Sequence, residues 1–319
     1  MIIFAIILVL FLIIICVLNH MYKKTNSYYN SHIMNLDFKE KSIGKIIVVG
    51  STYARFAFEG AKSLRLDVSN LTLQSQSIYN DLKNFQAIKA RVKENSLVFM
   101  VLAPCTLLFK GNTSGLLRFR IPGNPTATLK QKLEYIFPIM RVKRMFRLLS
   151  DEGRYFDVYD GKSLINDEAA IDKEMGQLVS LWETMFGLKG VDTPSLSEDN
   201  QKCIKENVLL LDKLIGECLE QKCIPVIVVP PFSSRLNNRF SDDFVELVLE
   251  NNVEKLTNKY PQVKYLNYRK EAVFQENVGL FVDGGFLLNR RGSQLLYKKV
   301  SEDITEIESL INKNYGNKK

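Results

Sequence analysis

The sequence predicts a doubly wound α/β fold behind an apolar N-terminal segment, and three observations predict it. Five short runs rich in Val, Ile or Leu recur along the chain: "KIIVVG" (45–50), "LRLDVSN" (64–70), "SLVFMVLAP" (96–104), "IPVIVVPP" (224–231) and "VKYLNY" (263–268). Three of them are almost continuously apolar, the pattern of parallel strands covered on both faces. Segments with helical spacing lie between them, and such alternation builds a parallel sheet of about five strands with right-handed crossovers.

The first element is the apolar segment. Residues 2–18 contain no charge, no Pro, no Gly and no polar side chain except the thiol of Cys16. That length is at the short end of the roughly 20 residues that span a bilayer. No small-residue cleavage site follows, and Cys16 follows "III" where a lipoprotein signal needs small residues. Residues 1–19 therefore read as an uncleaved, single-pass anchor. Residues 20–43, polar and aromatic without periodicity, read as a juxtamembrane linker, and residues 44–319 as the α/β domain. Only Met1 precedes the apolar run, whereas Lys23, Lys24, Lys39, Lys41 and Lys45 follow it, and that asymmetry favours a cytoplasmic domain. Cys105, Cys203, Cys218 and Cys223 show neither disulfide nor metal-ligand spacing and read as small buried hydrophobes; no metal and no cofactor is expected.

Three helices are well marked. Residues 195–222 start with a capping box, Ser195 and Glu198, and then place Ile204, Val208, Leu211, Ile215 and Leu219 along one face. Residues 241–258 open on "SDD" and carry Phe244, Val248 and Leu249 as their apolar face. The last amphipathic stretch begins at Asn289, which reads as its N-cap.

The connection between the third and fourth strands, about 105–194, is too long for a simple crossover and reads as a basic helical insertion. Residues 110–147 hold nine Lys or Arg against the single acid Glu134, interleaved with Phe137, Ile139, Met140, Met145, Phe146 and Leu148. This stretch, with Arg141 and Arg144 as candidate binding residues, suits an anionic lipid surface, an acidic glycan, or an insertion packed on the core. Nucleic acid is not an expected partner, since no nucleic-acid motif is present.

In open α/β sheets the site forms beyond the carboxyl ends of the strands. The sequences there are "GSTYARF", "NLTLQSQSIYND", "APCTLLF" and "FVDGGFLLNRRGSQLL". At these places the chain resembles the SGNH/GDSL hydrolase superfamily, most closely its membrane-anchored branch associated with bacterial surface-polysaccharide assembly. The resemblance covers roughly residues 45–104 and 195–312. It implies a flavodoxin-like, SGNH-type sheet, a Gly-Asp-Ser or Gly-Ser-Ser nucleophile block, an oxyanion N–H after the second strand, and a closing Asp-x-x-His-Leu-Asn-x-x-Gly block. Here the first block is Gly50-Ser51-Thr52, and the last starts at Asp283 and reaches Gly292. The catalytic candidates are accordingly Thr52, Ser51 and Asp283. Gly50, Asn70, Ser75, Gln76 and Asn289 are the binding candidates around them.

The departures from that pattern carry equal weight. Thr52 stands at the nucleophile position, where its extra methyl stiffens the side chain. Phe286 stands where the base histidine belongs, the block is one residue longer than usual, and "APCTLLF" replaces the asparagine expected after the third strand. A hydroxyl nucleophile needs an adjacent base, and the only histidines, His20 and His32, lie in or beside the linker. Two functions follow as expectations. One is a degenerate SGNH relative that binds a cell-surface glycan or its lipid-linked precursor. The other is an acyl esterase or O-acyltransferase acting on such a glycan with a rebuilt site. The resemblance puts the domain outside the membrane, against the charge rule.

Overall fold

The computed structural model describes residues 2–22, 43–59, 67–72, 76–110, 129, 133, 136–137 and 167–305. The chain forms two compact units, Met1–Leu36 with Ser114–Asp157, and Asp37–Thr113 with Val158–Lys319. In the first, α1 runs over Ile2–Tyr22 and has no acid, Lys or Arg. Its side chains are described at Phe4, Ile6 and from Val9 onward, and residues 9–14 are all exposed apolar groups. Among the described residues no helix is long and apolar enough to cross a membrane. The anchor therefore rests on the sequence of residues 2–18.

The second unit holds the five expected strands: β1 Ile46–Val49, β2 Val68–Asn70, β3 Leu97–Val101, β4 Ile224–Val229 and β5 Lys264–Asn267. All pairings are parallel and the order is 2-1-3-4-5. The three apolar runs are the central strands, and their residues 47–49, 97–99 and 226–229 have no exposed surface. Burying each such Val, Ile or Leu contributes about 1.5–3 kcal/mol. The edges are short: β2 has three residues, and β5 begins with Lys264 and is half-buried. Short or charged edges discourage further strand pairing.

Helices cover this sheet as the strand order demands. α2 (Thr52–Glu59) joins β1 to β2, and α3 (Ile78–Ile88) joins β2 to β3. The direction of travel reverses between these connections, so right-handed crossovers place the two helices on opposite faces. α4 (Glu168–Phe186) and α5 (Glu198–Glu220) precede β4, and α6 (Asn251–Lys259) precedes β5. α5 packs on α3. α7 (Arg290–Asp303) returns to pack on α2, where Ser293 Oγ donates to the carbonyl of Ala57 at 2.8 Å.

Two local expectations shift. The cap of α5 is Ser197 rather than Ser195: Ser197 Oγ accepts from the Asn200 amide at 3.2 Å, while the Ser195 amide is tied to Thr193 O in the preceding turn. The segment opening on "SDD" is capped by Ser241, as its spacing suggests, but widens into a π-type turn over Glu246–Glu250 before α6. Phe244, Val248 and Leu249 are all fully buried. Within the long connection, α4 belongs to the sheet's own unit and buries Ile171, Met175 and Val179. Arg141, Arg144 and most of residues 110–147 lie outside the described residues, as does Ser75.

Candidate functional site

β1 ends at Gly50, whose φ of +138° and surroundings admit no side chain. A Cβ there would lie 2.7 Å from Ala54 Cβ and 2.9 Å from the carbonyl of Val101. Glycine alone tolerates that backbone and that approach. The turn delivers Ser51 and Thr52 to the start of α2, at the β1/β3 switch point of the sheet. Both line a cleft of about 150 Å³.

The cleft's floor comes from the turn after β3. Thr106 Oγ1 accepts from the Ala103 amide at 2.7 Å and shares a 2.6 Å hydrogen bond with the Tyr53 hydroxyl, so this turn is pinned to α2. Its walls are aromatic: Phe109, Trp182, Phe186 and Phe286. Phe286 packs against Trp182, Phe232 and Tyr53 with ring centroids 5.1, 5.6 and 5.8 Å apart. Edge and tilted arrangements of this kind each add about 0.5–1.5 kcal/mol beyond burial.

Among the described residues, none that lines the cleft is charged at neutral pH. The two titratable ones are Tyr53 and Cys105. Burial pushes the Tyr53 phenol well above its ordinary value, outweighing the Thr106 hydrogen bond. Burial, helped by the charge of Glu183, pushes the Cys105 thiol up to about 12, so it holds its proton and is no thiolate nucleophile. Of the two histidines, His20 is on α1 in the first unit, and His32 lies outside the described residues.

One carboxylate lies behind the turn. Asp81, on the buried face of α3, accepts from the Gly50 amide at 3.0 Å and from the side-chain amide of Gln76. Burial lifts its pKa to about 7, against the lowering effect of Gln76 and of the Gly50 N–H. Gln76 lines the cleft, and its remaining bonds go to Leu71 O (3.1 Å) and Asn84 Nδ2 (3.0 Å). Gln76 thus joins the cleft wall to a buried acid, with its amide fully engaged.

The other candidates have structural work. Asn70 Oδ1 accepts from Thr72 N at 3.1 Å and Thr72 Oγ1 at 2.5 Å, and Asn70 is not a lining residue. Asp283 Oδ1 accepts from the amides of Gly285, Phe286 and Leu287 at 3.1, 2.8 and 3.0 Å. Burial raises its pKa while those amides pull it back. Asp283 therefore organises a tight loop closed by the Phe281–Leu288 bridge, and it does not line the cleft. The loop presents Phe286 to the cleft instead. Asn289 caps α7 as expected, with Oδ1 on Gly292 N at 3.1 Å and Nδ2 on Gly279 O at 2.7 Å, so its amide is a cap and not a binding group.

The sequence brought Gly50, Ser51, Thr52, Gln76 and Phe286 to one place, and these five do meet around the cleft or its turn. Trp182, Phe186 and Asp81 were not foreseen. Trp182 is the only tryptophan of the chain and shares a helical stripe with Phe186, a signal available beforehand. Asp81 could also have been found: it stands beside Ile78, Leu82 and Phe85 on the buried face of α3, where an acid is costly.

Set against known proteins, the chain matches no family model and no curated protein. What the site can do follows from its side chains alone. Among the described residues no set of three His, Cys, Asp or Glu gathers as metal ligands. The cleft offers the hydroxyls of Ser51 and Thr52, beside the mutually bonded pair of Tyr53 and Thr106, and aromatic rings, which suit a neutral ligand with apolar faces.

Proposed function

We propose that this is a membrane-anchored, SGNH-like protein of cell-surface polysaccharide biosynthesis or modification, a degenerate hydrolase relative that binds glycan. One observation carries the reading. The hydroxyls of Ser51 and Thr52 line an aromatic cleft at the switch point, with the Phe286 ring in its wall and, among the described residues, neither a charged group nor an imidazole in its lining. The 2-1-3-4-5 order supports a flavodoxin-like sheet, within which the SGNH-type blocks would fall at these strand ends. The apolar stretch 2–18, and the exposed apolar side chains of α1, support the anchor. The glycan reading places the domain outside the membrane. Glycan rings have apolar faces that stack on aromatics, and their hydroxyls pair with Ser, Thr and Gln groups.

A second reading has one observation in its favour. Asp81, with a pKa of about 7, reaches the cleft wall through Gln76 and lies behind the Gly50 turn. An acyl esterase or O-acyltransferase would use such an acid in a rebuilt site. Asp283 serves that role less well, because one carboxylate oxygen holds three loop amides.

The full chain in detergent separates the two. The first reading expects p-nitrophenyl acetate hydrolysis at the protein-free rate, no labelling by a fluorophosphonate, and a change in Trp182 emission on titrating neutral oligosaccharides. Turnover by wild type that Thr52→Ala or Ser51→Ala abolishes would establish the second reading.

A further inference from the structure

α4 carries an apolar pair that the packing of the domain leaves outside. Ile171, Met175 and Val179 are buried, while Trp182 and Phe186 pack half-buried on the core and line the cleft. Leu181 and Met185 are 54% and 52% exposed. Their spacing of four puts them side by side on the helix surface. Leu181 directly precedes Trp182, and Met185 lines both the cleft and an adjoining cavity of about 490 Å³. Apolar surface thus continues from the inside of the cleft out onto α4. Among the described residues of this unit, the other exposed large apolar side chains are Leu209, Leu247 and Val273, each single on another element. Scattered single residues are ordinary, whereas a pair continuous with a site marks a surface that something covers.

Three observations choose a lipid surface as the cover. The first is the tether. On the anchor reading, α1 ends at Tyr22 in the bilayer, and the described part of the domain resumes at Ile43. The chain between them reaches at most about 70 Å when fully extended. The domain therefore meets the bilayer at an effective concentration that no soluble partner has. The second is charge. Lys110, which lines the adjoining cavity, is the first residue of the basic stretch 110–147, and Lys189 is exposed just past the left-handed cap of α4 at Gly187. Lysines beside exposed apolar groups suit an interfacial surface. The third is that little charge has to leave water. Gln177, Ser180 and Thr184, exposed on α4 near the pair, are uncharged. Of the nearby acids, Glu183 accepts from the Val191 amide at 3.2 Å, and Asp199 shares its cavity with Lys110.

We propose that Leu181 and Met185 seat the mouth of the cleft on a phospholipid bilayer. The inference rests on the anchor reading above and adds an orientation: the cleft opens at the membrane surface, where a lipid-linked glycan is presented, and not toward free solvent.

Trp182 is the chain's only tryptophan and adjoins Leu181, so its emission reports contact with lipid. The full chain is reconstituted into phosphatidylcholine vesicles, once with ordinary lipid and once with lipid brominated near the headgroup end of its acyl chains. Bromine should lower the emission at least twofold, because it quenches an indole only at short range. Changing Leu181 and Met185 together to Gln, a good helix former, should abolish that quenching and leave the unfolding midpoint unchanged. Comparing brominated with ordinary lipid for each protein removes any direct effect of the substitutions on the indole. Wild-type emission that bromine does not alter, in a chain that floats with the vesicles, overturns the docking and leaves the anchor standing. Unaltered emission together with dimers in detergent that the double substitution dissociates would give the face to a second copy. Quenching that survives the double substitution overturns the assignment to Leu181 and Met185. A chain that does not float with the vesicles overturns the anchor reading, and the docking with it.

Discussion

The ring of Phe286 meets the indole of Trp182 edge to face, with centroids 5.1 Å apart. Two residues more than a hundred positions apart thereby close one wall of the cleft. One comes from the loop before α7, and the other from α4, which follows the long connection after β3.

Phe286→Ala should open this wall. The ring is half-buried, so the loss of stability should be about 1–3 kcal/mol, below that of a fully buried phenylalanine. Urea unfolding measures it. Trp182 emission should shift to the red as water reaches the indole, and an unchanged spectrum would argue that the two rings do not share a wall in solution.

Asp81 should make stability fall as pH rises. Its folded pKa is about 7 and its unfolded value about 4, so the folded state binds more protons between those values. Below about pH 4 both states are protonated and the group contributes no penalty. The penalty grows through pH 4–7 and is complete above pH 7. Asp81→Asn keeps an acceptor for the Gly50 amide and removes the ionisation. It should stabilise the protein by on the order of 3 kcal/mol at pH 8 and by little at pH 4. Thermal unfolding of both proteins from pH 4 to 8 checks this, and parallel pH profiles would contradict it.

The anchor predicts that the full chain fractionates with membranes and resists carbonate extraction, whereas a chain lacking residues 1–19 is released. A reporter active only outside the cytoplasm, fused after Lys319, should give signal. Silence of that reporter with activity of a cytoplasmic one would support the side favoured by Lys23 and Lys24, and would remove the main support for a surface glycan.

The basic stretch 110–147 predicts binding to vesicles. The full chain should bind vesicles containing an anionic lipid more tightly than neutral ones, and added salt should weaken the binding. Changing Arg141, Lys143, Arg144 and Arg147 to Gln should weaken it at least tenfold with no change in the unfolding midpoint, at roughly 1 kcal/mol per charge. Unchanged binding would favour an insertion packed on the core.

What the sequence determined by itself is the sheet and the caps. A strand buried on both faces must be apolar at nearly every position, so residues 46–49, 97–101 and 224–229 announce themselves without their neighbours. Asn289 could be read as a cap because capping acts over three residues. Even that local rule slipped at α5, where Ser195 and Ser197 both offer a hydroxyl and the preceding turn selects Ser197. The Gly50-Ser51-Thr52 turn was legible for the same reason, since it follows an unmistakable strand. The role of Asp283 and the lining of the cleft were decided only by tertiary structure. Asp283 fits the last block by position, but the folding of the loop turns its oxygen onto three amides and carries Phe286 forward in its place. Trp182 and Phe186 reach the cleft because α4 packs back on the sheet's unit after a long connection, and no local pattern encodes where a helix so distant in sequence will land. Strand pattern and capping are short-range physics, whereas the content of a cleft depends on which distant surfaces bury one another.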